Sequence, residues 1–149
     1  MNYKLAGKNY KIYAFILGII TGTLVYNLLG VDFSFDNNVN IKFNNFFDGV
    51  IYVFLGNVKF WLGIFILSFF RIKDKIAPVI IFCFSFLFAG IITIFVNSHN
   101  MLLVATAIDT MSKIIGTVYM CDDNKKNVGR LISFLILIMS SLLQNFFIF

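Results

Sequence analysis

The stretch at positions 76–96, IAPVIIFCFSFLFAGIITIFV, contains no charged residue, and a helix of that length rises about 30 Å, the thickness of the hydrocarbon core of a bilayer. It therefore reads as a membrane-spanning helix. Directly before it stands Arg71-Ile72-Lys73-Asp74-Lys75, a short basic knot that belongs on the cytoplasmic side by the positive-inside rule. Pro78, near the start of the stretch, falls where a first helical turn has no N–H to lose.

The rest of the chain agrees with that solvent. Of 149 residues 60% are hydrophobic and 13% charged, 20 are Phe, and the mean hydropathy is +0.90, which excludes a water-soluble fold. A net charge of +5 would suit nucleic acid, yet the lysines and arginines stand in small groups between apolar spans rather than along one polar face. They are topology signals, and no nucleic-acid partner is expected. Cys83 and Cys121 lie at different depths and lack metal-ligand spacing, so both are expected to be unpaired. The length permits one membrane domain, 1–149.

In chain order, Lys4, Lys8 and Lys11 precede an apolar run at 12–30. It looks at first like a signal peptide, but no small-x-small cleavage site follows and the run is long, so it reads as an uncleaved first helix with its N-terminus inside. Ala14, Gly18 and Gly22 recur on it every four residues, a small-residue ridge that lets another helix approach closely. The segment 31–45, with Asp32, Asp36, five Asn and one Lys, is too polar for hydrocarbon and belongs outside. The next residues, broken by Asp48, are expected to run along the outer interface before a second helix at about 50–70. The third helix, 76–96, carries Ser85, Ala89 and Thr93 as a ladder at i, i+4 spacing. A turn with His99 leads to a fourth helix at 101–120, and a basic loop with Lys125, Lys126 and Arg130 leads to a fifth at 131–148 with Ser133, Ser140 and Gln144 on one side.

Positive charges number three, three and three in the segments assigned inside, against one and none outside. The expected fold is thus all-α, a polytopic membrane helix bundle of about five transmembrane helices, N-in and C-out.

The fourth span is the polar one: Thr106, Asp109, Thr110, Lys113 and Thr117 fall within about a third of the helical circumference, a stripe that should not face lipid. Lys59 on the second helix lies at a similar expected depth, so Lys59, Asp109 and Lys113 are candidates for an intramembrane polar cluster. One reading is an ion or proton path. The other, favoured because neither broken helices nor repeated halves are evident, is a buried cluster that fixes how helices 2 and 4 dock. No nucleophile, base or metal set converges in the chain, and His99 has neither a second His nor any Glu to complete a site. No catalytic residue, metal or cofactor is expected.

Three segments taken together, 15–27 (FILGIITGTLVYN), 54–59 (FLGNVK) and 127–130 (NVGR) ahead of a last apolar helix, resemble the stage II sporulation protein M family in order and topology. In place of that family's Gly-rich pattern the third helix carries a lone Ala89-Gly90, and the outer loop is short. The resemblance implies a non-enzymatic scaffold of the bacterial cytoplasmic membrane that recruits peptidoglycan-remodelling enzymes during engulfment. Its expected partners are membrane lipid and other membrane or wall-associated proteins, peptidoglycan hydrolases among them, with an oligomer as a further option. The alternative class is a small transporter or permease subunit using the polar face of helix 4.

Overall fold

The computed structural model describes residues 3–29, 46–98, 101–122 and 126–148. The polar outer segment, the turn holding His99, and Asp123 to Lys125 lie outside the described residues. Five helices make up almost all of what is described: α1 Tyr3–Leu29, α2 Phe46–Leu67, α3 Lys73–Ser98, α4 Met101–Met120 and α5 Lys126–Ile148. Each holds a stretch long and apolar enough to cross a membrane, Asn9–Leu29, Phe46–Leu67, Lys73–Val96, Leu102–Met120 and Lys126–Phe147. The protein is an all-α, multi-pass membrane bundle.

Five boundaries differ from the expected ones, each for a local reason. The first helix begins ahead of position 12, since the lysine-bearing N-terminal stretch contains no proline and its one glycine, Gly7, costs only about 1 kcal/mol. The second starts at Phe46 instead of 50, because Asp48 falls in its first turn, where a carboxylate meets the positive end of the helix dipole. It stops at Leu67, where Ser68 folds back, its amide donating to the Ile64 and Phe65 carbonyls at 2.9 and 3.1 Å and its hydroxyl to Phe65 O at 2.7 Å. The third takes in Lys73 to Lys75, which moves Pro78 beyond the first turn. Proline there removes the bond that the Asp74 carbonyl would accept, a small loss because Asp74 is exposed. The fifth starts at Lys126 and absorbs Gly129, whose added Cβ would collide with the Tyr119 carbonyl oxygen. Only glycine lets the start of α5 lie this close to the end of α4.

Along the bundle α1 lies on α3, α3 on α4, α4 on α5 and α5 on α2, with a slighter contact between α2 and α4. The α1–α3 seam is made by the two small-residue ladders packing on each other. A Cβ on Gly18 would meet the Ser85 Cβ at 2.6 Å, and one on Gly22 the Phe86 carbonyl oxygen at 2.6 Å; a turn further on, the Tyr26 ring lies flush on Gly90. Tyr26 also packs on Phe86 with ring centroids 5.6 Å apart. The close approach that the ladders permit is thus made within the chain, by Gly18 and Gly22 against Ser85 and Ala89. Backbones approach closely here because nothing larger than a hydroxymethyl or methyl stands between them.

The pattern of burial is that of a protein in lipid. Leu28, Phe47 and Phe146 are 83%, 75% and 76% exposed, while Ser85, Thr117, Ser133, Ser140, Ser141, Gln144 and Asn145 are buried. Apolar side chains gain nothing by leaving hydrocarbon, so the interior goes to small residues that pack closely and polar ones that find partners. Two contacts tie the helix ends: the Lys11 ammonium donates to Cys121 O at 2.8 Å, and Arg130 Nη2 to Ser68 Oγ at 3.3 Å. Lys11, Arg71, Lys73, Lys126 and Arg130 accordingly gather at one end of the bundle. At the other, Asn145 Nδ2 donates to Phe46 O at 2.9 Å and the Phe46 and Phe146 rings meet edge to face.

Candidate functional site

The centre of the bundle holds a polar layer shared by α2, α4 and α5. On α4, Asp109 and Lys113 stand one turn apart and form an ion pair through Asp109 Oδ2, acid before base along the helix as the dipole favours. The Lys113 ammonium also lies 5.7 Å from the ring centroids of Phe60 on α2 and Phe84 on α3, so its charge is shared between a carboxylate and two aromatic faces. From α5, Gln144 Nε2 reaches Asp109 Oδ1 at 3.4 Å and Ser140 Oγ at 2.7 Å. A charged pair in low dielectric needs its remaining oxygen satisfied, and Gln144 supplies that donor.

The α4 threonines do different work. Thr117, fully buried, donates to the Lys113 carbonyl at 2.7 Å. Thr110, also buried, donates to the Thr106 and Ala107 carbonyls, each at 3.0 Å. Thr106, expected to be sheltered with the others, is exposed and donates to Leu103 O at 2.9 Å. A hydroxyl bonded to its own helix backbone can face hydrocarbon at small cost, so the stripe turns outward at its outer end.

Lys59 does not join the cluster. It is exposed on α2, and its ammonium makes no ion pair among the described residues. The face that α2 turns inward carries Asn57, Phe60, Trp61 and Ile64, and Lys59 stands about 200° around the helix from Asn57 at 100° per residue. Similar depth is not shared direction. Beside Lys59, a Cβ added at Gly56 or at Gly63 would meet nothing within 4 Å, so this side of α2 is bare.

Inside the layer, a cavity of about 20 Å³ is lined by Asn57, Trp61, Lys113, Thr117 and Ser133 among others, room for about one water. Asn57 Nδ2 and Trp61 Nε1 are buried without a hydrogen-bond partner, making the layer richer in donors than in acceptors. Sequence reasoning passed over Asn57, Trp61 and Asn145; an Asn at 57 four residues before Trp61, within an i, i+3, i+4, i+7 set, was the signal for the inward face. Among the described residues no three His, Cys, Asp or Glu side chains gather as for a metal ion. Cys83 is exposed and Cys121 buried, both unbridged.

Compared with known proteins, the chain matches no family model, no curated protein and no solved structure.

Proposed function

We propose that the protein is a non-enzymatic scaffold of the bacterial cytoplasmic membrane, N-in and C-out, that holds a partner's transmembrane helix against α2. The observation that carries this is Lys59, exposed in the inner half of a membrane-crossing helix and flanked by Gly56 and Gly63, which leave the backbone bare. A lysine near mid-bilayer costs roughly 3 kcal/mol unless matched. Snorkelling offers little relief: Lys59 is eight residues from the inner end of α2, about 12 Å, and its Cα–Cβ bond tilts the opposite way, toward the helix N-terminus.

The partner is a helix with a carboxylate at matching depth and a smooth face opposite the glycines. A second copy does not fit, since two α2 helices related by a two-fold axis along the membrane normal would bring Lys59 against Lys59. The resemblance to the stage II sporulation protein M family points to wall-remodelling partners during engulfment. The permease reading draws less support, because the Asp109–Lys113 pair is already matched by Gln144 and its cavity holds about one water.

A photo-crosslinker placed at position 56 or 63 in native membranes tests the proposal. The expected product is a membrane protein with an acidic residue in a span, lost in Lys59→Met at unchanged abundance. Adducts to lipid alone, or to a partner whose capture ignores Lys59→Met, would overturn it, as would solute flux in liposomes abolished by Asp109→Asn.

A further inference from the structure

The geometry points to a binding site for a phosphate group, presented by an anionic phospholipid or by a soluble phosphate ester, at the basic end of the bundle, independent of the partner face on α2. There an open cavity of about 270 Å³ is lined by Ser68, Arg71, Lys73, Asp74, Lys126 and Arg130, with Phe69 and Phe70 on its apolar side. Four cations face one carboxylate. They come from three places in the chain, the turn after α2, the start of α3 and the start of α5, so the cavity is assembled by the fold and not by one basic run.

Arg130 is held for the purpose. Its guanidinium carbon lies 4.2 Å from the Phe69 ring centroid and 5.4 Å from that of Phe65, Nη2 donates to Ser68 Oγ at 3.3 Å, and Nε is buried without any hydrogen-bond partner. Stacking fixes the plane of the fork, and because Nε is shut off it is the terminal nitrogens of this half-buried, cavity-lining residue that a phosphate oxygen would meet. Two helix N-termini add to the field: α3 and α5 both begin with residues of this cavity, Lys73 and Lys126. The first turn of α5 has no acidic residue to offset its positive end, and the helix dipole there favours an anion.

The place suits a lipid. The cavity opens where α2 ends and α3 and α5 begin, level with headgroups and not with acyl chains, and a basic pocket between helices at that level is how an anionic headgroup is gripped. Phe69 and Phe70, both exposed, offer the glycerol and upper acyl region an apolar wall. The rings and the fork together match one amphipathic ligand.

The test uses the whole purified chain in nanodiscs of phosphatidylcholine containing a minor fraction of phosphatidylglycerol, with retained lipid counted by native mass spectrometry and melting followed in parallel with and without millimolar inorganic phosphate. The wild type should retain phosphatidylglycerol in preference. Arg71→Gln with Lys126→Gln, both at exposed positions outside the packed seam, should weaken retention roughly thirtyfold, about a factor of five per cation. Lys75→Gln, equally basic and at the same end but not lining the cavity, should change nothing, which separates a site from general surface charge. Inorganic phosphate raising the wild-type melting temperature, with no preference between the lipids, would assign the site to a soluble phosphate ester. Equal retention of both lipids with no effect of phosphate would overturn the site, as would a double variant that behaves like Lys75→Gln.

Discussion

Gly22 of α1 lies so close to Ala89 of α3 that a Cβ on the glycine would stand 2.8 Å from the alanine methyl. The distance explains why α1, otherwise exposed along most of its length, is part of the bundle at all. With no hydrophobic effect to draw helices together in lipid, close van der Waals approach over Gly18, Gly22 and Gly90 does it.

Gly22→Leu should therefore detach α1 from α3 at a cost of about 1–3 kcal/mol, read as a lower melting temperature in detergent. Gly56→Leu makes the control, because nothing lies within 4 Å of its Cβ position; its stability should stay within about 0.5 kcal/mol of wild type. Equal losses from both would mean that the α1–α3 seam is not what the two ladders build.

A second expectation concerns Asp109. Replacing it with Ala leaves Lys113 without its carboxylate and Gln144 Nε2 without one acceptor, a loss on the order of 1 to 3 kcal/mol. Adding Lys113→Met should recover part of it, whereas adding Lys59→Met should be additive, since Lys59 stands on the far side of α2. The cycle is measured by equilibrium unfolding in mixed micelles. Coupling of Asp109 to Lys59 larger than to Lys113 would contradict the arrangement.

These two cases mark what was legible in the residues beforehand. The number of spans and the segregation of Lys11, Arg71, Lys73 and Arg130 to one end followed from charge-free length and from loop charge, properties that act one residue at a time. The polar stripe of α4 was visible because one helix carries all of it. Lys59 was misjudged because depth can be read from position whereas the direction a helix turns depends on its neighbours; Asn57 and Trp61, not the lysine, face α4. The ladders at Gly18, Gly22 and Ser85, Ala89 were each recognisable, yet their pairing with each other is a property of two segments and of neither alone. Boundaries slipped where apolar content was taken as the limit of a helix: Asp48 suits the first turn of α2, and Lys126 begins α5 although its charge opposes the helix dipole.

Gly129 provides a third measurement. Its missing Cβ admits the Tyr119 carbonyl oxygen, which an added methyl would overlap, so Gly129→Ala must push the start of α5 off the end of α4. A loss of roughly 1 to 3 kcal/mol is expected, together with faster protease cleavage between the two helices. Unchanged cleavage and unchanged melting would show that the turn relaxes freely.

The last prediction fixes the orientation of the bundle. Lys11 reaches Cys121 O and Arg130 reaches Ser68, so the start of α1, the end of α2, the end of α4 and the start of α5 share one end, and the basic residues of the turn after α2 lie there with them. One orientation decision then covers all of them, and the positive-inside rule puts that end in the cytoplasm. With Cys83 and Cys121 replaced by Ser or Ala, a membrane-impermeant maleimide applied to intact cells should modify single cysteines placed in the polar segment 31–45 or at His99. Cysteines at Lys73 or Lys126 should react only after the membrane is opened. Because the packing links these ends, a mixed result, with position 73 labelled from outside and position 126 protected, is incompatible with the bundle itself, while labelling of both from outside would invert the orientation and leave the bundle standing.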